Sequence, residues 1–211
     1  MSTVPLFLVT GVGHSGTAFM ARLFTELGFE CGHERWHNLR PYRGMETPDS
    51  SGLAVPNLDQ IGDIPVVHVV RGPLKVLRSV MRSRTFGPRK EIEPYNRFIA
   101  RHLGQDLSDP LFDRMIHFVA EWDRPVETHP RRILVRVDRD GPEQMAEAVR
   151  HATGQHIEVD AVAEVMARLG TKVNAHAARF RSHDARIDWR RVLARPYGQR
   201  LAERAERYGY R

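Results

Sequence analysis

Short apolar runs alternate with amphipathic stretches along most of this chain. Leu6-Phe7-Leu8-Val9 is a run of strand type. Phe19, Met20, Leu23, Phe24 and Leu27 then share one helical face, which predicts a helix over 15–27 that stops at Gly28. A short extended piece over 29–31 follows. Beyond it lies an irregular stretch to about Asp63, broken by Pro41, Pro48 and Pro56 and holding the polar cluster Thr47-Pro48-Asp49-Ser50-Ser51. Residues 64–70 read as a buried parallel strand ended by Arg71-Gly72. Pro73 opens a helix whose Leu74, Leu77, Val80 and Met81 lie on one face. A basic, proline-interrupted surface loop is expected over 82–93, then helices over 95–103 and 111–122 and a strand over 132–137. Amphipathic helices over 143–153 and 160–169 close at Gly154 and Gly170. The tail from Thr171 carries Lys172, Asn174 and many arginines, and ends in a helix over 199–208. This alternation predicts an α/β fold with a parallel sheet under helical cover, in one domain spanning 1–211 with a helical C-terminal part.

The turn between the first strand and the first helix reads Val9-Thr10-Gly11-Val12-Gly13-His14-Ser15-Gly16-Thr17-Ala18. Strand, glycine-rich turn and helix form the layout of a phosphate-cradling loop. Glycines let the backbone approach a ligand, and the free N–H groups of the helix start face an anion. Gly11-x4-Gly16 has the spacing of a Walker loop, but Thr17 stands where that loop has Lys. The expected ligand is therefore phosphate-like, bound without the usual ATP–magnesium plan. Arg71 ends the 64–70 strand, at the sheet edge where open α/β proteins bind ligands, and Ser79 lies two helical turns further on. The long stretch up to Asp63 is read as a substrate-facing loop.

Charge narrows the ligand further. The formal charge is +6, and the basic residues are mostly Arg, which suits bidentate contacts to phosphate or sulfate. The arginines are spread along the chain, with no basic run interleaved with aromatics, so a small anionic ligand is expected rather than nucleic acid. Cys31 is the only cysteine, which rules out an intrachain disulfide and suits a reducing compartment. No apolar run approaches transmembrane length and no signal peptide is recognisable, so a cytoplasmic location is expected without an integral membrane segment. Oligomeric state is not readable.

Two motifs resemble the P-loop sulfotransferases, enzymes that use 3′-phosphoadenosine 5′-phosphosulfate, and the small bacterial type in particular. Gly13-His14-Ser15-Gly16-Thr17 is similar to the family's 5′-phosphosulfate loop, with His14 where Lys or Arg is usual. Val69-Val70-Arg71-Gly72-Pro73 with Ser79 is similar to the segment whose Arg and Ser hold the 3′-phosphate, with Gly72 in place of a frequent acidic residue. The strand over 133–137 with Asp138, and the closing Arg207-Tyr208-Gly209-Tyr210, also resemble later landmarks of the family.

The resemblance implies a P-loop NTPase-like sheet and transfer of a sulfuryl group to a hydroxyl acceptor, a small molecule or a glycan. The donor would be held by Gly13, His14, Ser15, Gly16, Thr17, Ala18, Arg71 and Ser79. His14 is expected to be cationic beside the donor and to stabilise the leaving phosphate, since a nearby anion favours the charged imidazole. Glu34 occupies the place, just after the second strand, where the family carries its base; His33 is the second choice. Arg35, Trp36 and His37 are candidate acceptor contacts, and Trp36 suits stacking on a sugar ring. The scheme requires no metal.

Other readings stay open at this point. A P-loop kinase would need Lys at Thr17 and a magnesium-binding Asp, for which Asp138 is available. A nucleotide-binding protein without turnover is a third reading. His33-Glu34-Arg35-Trp36-His37 also spells the H-E-x-x-H motif of zinc peptidases, which acts only on a helix that puts both His on one face.

Overall fold

The computed structural model describes residues 5–83, 86, 93–170 and 187–211. These fall into two compact units, one drawn from Met1–Val70 and Pro125–Ala175, the other from Arg71–Arg124 and His176–Arg211. No helix among the described residues is long and apolar enough to cross a membrane.

The first unit is built on five strands: β1 (Leu8–Thr10), β2 (Gly32–His33), β3 (Asp49–Ser50), β4 (Val66–Val70) and β5 (Arg132–Arg136). They form one all-parallel sheet in the order β2-β3-β1-β4-β5, which establishes an α/β fold. All five residues of β4 are buried, as the valine-rich run Val66-Val67-His68-Val69-Val70 predicts for a central parallel strand. The register sets Val9 against Val67, and Val67 and Val69 against Ile133 and Val135. Because side chains alternate along a strand, these residues share one face. Helices α1 (Thr17–Glu26), α6 (Pro142–Thr153) and α7 (Val159–Leu169) cover it with Met20, Leu23, Phe24, Met145, Val149 and Val162. The rings of Phe7 and Phe24 meet at 4.6 Å. On the opposite face Thr10 and His68 are fully buried, and His68 Nδ1 lies 3.3 Å from Arg132 Nη1.

Helix α1 ends as its sequence predicts. Gly28 takes φ +90°, its N–H reaches Thr25 O at 3.0 Å, and the Phe29 N–H reaches back to Phe24 O at 2.9 Å. At its other end it begins at Thr17, two residues later than its apolar spacing predicts, because Gly16 and Ser15 belong to the preceding turn. Helix α6 opens with Pro142, and the Gln144 side chain accepts the Gly141 N–H at 3.0 Å.

One expectation is corrected. The stretch up to Asp63 is not irregular throughout: β3 crosses it as a buried strand beside β1, and the short helix α2 (Leu58–Ile61) follows. Asp49, Ser50 and Ser51 are all fully buried, so this polar cluster is interior and not loop surface.

The second unit holds α3 (Pro73–Ser83), α4 (Glu93–Leu103), α5 (Leu111–Glu121), α8 (Trp189–Leu193) and α9 (Gly198–Arg207). Helix α5 packs against α3, α4 and α9, and Trp122 at its end is fully buried between the Phe118 and Phe98 rings. Arg204 of α9, itself buried, pairs with Asp123 and donates to Val119 O at 2.8 Å, capping the α5 carbonyls. Helix α8, which the apolar spacing does not reveal, is capped by Asp188, whose Oδ1 accepts the Arg191 N–H at 2.9 Å. Arg82 and Ser83 close α3, and Phe86 is buried. The rest of the expected 82–93 loop up to 92, and the tail residues Lys172 and Asn174, lie outside the described residues.

Candidate functional site: a glycine loop on a polar strand

The turn between β1 and α1 is shaped by contacts that only glycine permits. A Cβ on Gly11 would overlap the carbonyl oxygen of Val69 on β4. At Gly16, where φ is +120°, a Cβ would come to 2.9 Å from Val137 Cγ2. Between them the chain turns tightly: the Ser15 N–H reaches Val12 O at 3.0 Å, and His14 takes the left-handed φ of +71°. Gly13, His14 and Ala18 are half-buried, while Ser15, Gly16 and Thr17 are buried.

Two features of this turn suit an anion. Helix α1 has no side-chain cap at Gly16 and no acidic residue in its first turn, so no carboxylate there offsets its positive end. Ser15 Oγ, in a residue with no exposure, has no hydrogen-bond partner among the described residues. A buried hydroxyl left without a partner is costly, and a ligand oxygen at this turn would satisfy it. That fits a phosphate or sulfate group.

β3 and the residues after it hold the turn from beneath. Ser50 Oγ donates to Thr17 O at 2.8 Å, tying β3 to the first residue of α1. Thr10 Oγ1 donates to Ser51 O at 2.8 Å, and Gly52 lies so close to Gly13 that a Cβ there would be 3.3 Å from its backbone. Sequence reasoning missed this support. The local signal was only a polar cluster between prolines, and a two-residue strand is too short to show alternation.

His33 and Glu34 follow β2 directly. His33 is exposed, and its Nε2 lies 3.5 Å from Thr17 Oγ1, so the structure brings the second candidate base to the start of α1. Glu34 is exposed, takes φ +56°, and has no side-chain partner among the described residues; its N–H reaches Ser50 O at 3.1 Å. Arg35 pairs instead with Glu30 at 2.8 Å. Trp36 is half-buried, with its Nε1 donating to Thr47 Oγ1 at 2.9 Å and the Arg35 guanidinium 5.4 Å from its ring.

In the H-E-x-x-H stretch His33 ends β2 and residues 34–37 are bends, so it is not a helix. His37 is buried, its Nδ1 3.1 Å from Asp49 Oδ2 and its ring stacked on Tyr42 at 4.9 Å, while His33 points to Thr17. The one-turn spacing of two imidazoles on one helix face, on which that motif depends, is not formed. Among the described residues no group of three His, Cys, Asp or Glu side chains is placed to hold a metal ion.

Asp49 is buried among these residues. Burial pulls its pKa up, but the His37 side chain and the N–H groups of Arg35, His37 and Trp36 outweigh burial and hold it below the ordinary carboxylate value. Arg71 is the first residue after β4, is half-buried and has no side-chain partner among the described residues. Ser79 lies within α3. Both belong to the second unit, whereas the glycine turn, His33 and Glu34 belong to the first. No family model matches this chain, and no curated protein matches it.

Proposed function

We propose that the chain is a sulfotransferase that moves a sulfuryl group from 3′-phosphoadenosine 5′-phosphosulfate to a hydroxyl acceptor. The observation that carries this reading is the buried Ser15 hydroxyl, unpartnered among the described residues, in a glycine-moulded turn before a helix without a side-chain cap. A turn of this kind takes the oxygens of a phosphate or sulfate. Thr17 in place of the Walker Lys turns the reading from nucleoside triphosphates towards a phosphosulfate.

In this reading the amides and hydroxyls of residues 13–18 hold the 5′-phosphosulfate, and Arg71 and Ser79 take the 3′-phosphate. The sulfur–oxygen bond to the donor phosphate breaks as a sulfur–oxygen bond to the acceptor forms. The leaving electron pair goes to the phosphate oxygen, where His14 and the helix N-terminus stabilise it. Glu34 receives the acceptor's proton. Its place in the chain, one residue from the imidazole that meets α1, supports that assignment.

Calorimetric titration tests the reading. Wild-type protein is expected to bind adenosine 3′,5′-bisphosphate without added metal, and Ser15→Ala to weaken that binding. Arg71→Ala should weaken the bisphosphate and leave 5′-ADP nearly unaffected. Equal losses for both nucleotides would contradict the role given to Arg71, and no binding by the wild type would contradict the reading as a whole.

A further inference from the structure

We infer that Asp49 is a positioning residue for Glu34; this rests on the sulfotransferase reading, in which Glu34 is the base. The carboxylate of Asp49 gathers the chain immediately after Glu34. Its Oδ1 accepts the Arg35 N–H at 3.2 Å, and its Oδ2 accepts the N–H groups of Trp36 and His37 at 3.1 and 3.2 Å. The His37 Nδ1 adds a fourth bond at 3.1 Å. A carboxylate only accepts, so Nδ1 carries the proton, and Nε2 is left buried without a partner among the described residues. Three successive N–H groups closing on one anion form a nest, filled here by a side chain of the same protein.

The consequence falls on Glu34. Its φ of +56° is a left-handed conformation that a residue bearing a Cβ adopts only at a steric cost. Such strain persists only where the surroundings over-determine it, and it collects at functional sites. β3 supplies that determination on both sides: Ser50 O holds the Glu34 N–H, and Asp49 holds the next three peptides. The same strand fixes the start of α1 through the Ser50–Thr17 bond. One buried strand therefore sets both the anion-facing turn and the backbone that presents Glu34. Without the Asp49 anion the turn can relax to an ordinary φ, which swings the Glu34 side chain away.

Asp49→Asn keeps the size but turns an N–H donor towards a ring of donors. The test compares wild type, Asp49→Asn, Glu34→Gln and the double variant, with water as acceptor and sulfate release from 3′-phosphoadenosine 5′-phosphosulfate as the rate. Asp49→Asn should lower kcat by about 10²-fold, as expected for a misplaced reacting group, without changing affinity for adenosine 3′,5′-bisphosphate. The double variant should be no slower than Glu34→Gln alone, because Asp49 acts through Glu34. Amide hydrogen exchange should accelerate at residues 35–37 while β4 keeps its protection. If Asp49→Asn does not fold, His37→Asn, which spares the three backbone bonds, should show the same pattern with a smaller loss. Losses that multiply in the double variant, or unchanged exchange at 35–37, overturn the positioning role while bisphosphate binding stands. A wild type that neither binds bisphosphate nor releases sulfate overturns the sulfotransferase reading beneath it.

Discussion

His37 Nδ1 lies 3.1 Å from Asp49 Oδ2, and both side chains are buried. This bond and three backbone N–H groups hold the Asp49 pKa below the ordinary value against the upward pull of burial. A carboxylate depressed in the folded state binds fewer protons there than in the unfolded chain. Its stabilisation is fully present above the unfolded value of about 3.9 and is lost as pH falls through the lower folded value. Urea unfolding between pH 5 and pH 3 should therefore show a shallower loss of stability for Asp49→Asn than for wild type. Parallel pH profiles would show that Asp49 does not contribute to the acid sensitivity.

Glycines of the first unit should differ sharply in tolerance. Gly11→Ala drives a Cβ into the Val69 carbonyl, so it should cost at least the roughly 1–3 kcal/mol of an overpacked core and abolish anion binding. Gly28→Ala meets nothing within 4 Å but keeps φ at +90°, so its cost is conformational, about 1–2 kcal/mol, with anion binding retained. Chemical denaturation of both variants checks the ranking. The reverse order would contradict the close approach of β1 to β4.

In the second unit the sensitive contact is Arg204 with Asp123. Arg204→Ala leaves a buried carboxylate without its cation, and about 3–5 kcal/mol should be lost. Arg168→Ala breaks an exposed pair with Glu26 and should change stability by no more than about 1 kcal/mol. Thermal or urea unfolding separates the two, and a small effect at Arg204 would refute its capping of α5.

Cys31 is buried, and burial, helped by the nearby Asp49 charge, pushes its thiol pKa far up. Native protein should therefore resist alkylation at mildly alkaline pH and react fully in urea. Prompt modification of the folded chain would mean that the β2 region opens far more readily than its packing implies.

What was legible in the sequence is what has a period or a covalent signature. β4 could be read because five apolar or buried positions run together, and α1 because Met20, Leu23 and Phe24 recur at helical spacing. Gly28 and Gly154 marked helix ends because their positive φ leaves little choice of residue. β3 was hidden: Asp49 and Ser50 are polar yet buried, since they serve hydrogen bonds and not the apolar core. The left-handed backbone at Glu34 was hidden for a related reason: no local glycine marks it, and the carboxylate that gathers the peptides after it lies fifteen positions away.

A thermal-shift titration with adenosine 3′,5′-bisphosphate, set against ADP with magnesium and against zinc, tests the central claim most directly. A ligand that binds only the folded state at a hundredfold excess over its Kd stabilises it by about 2.7 kcal/mol. The sulfotransferase reading predicts a shift with the bisphosphate that needs no metal and is smaller in Ser15→Ala. A shift with ADP and magnesium alone, or with zinc alone, would contradict it.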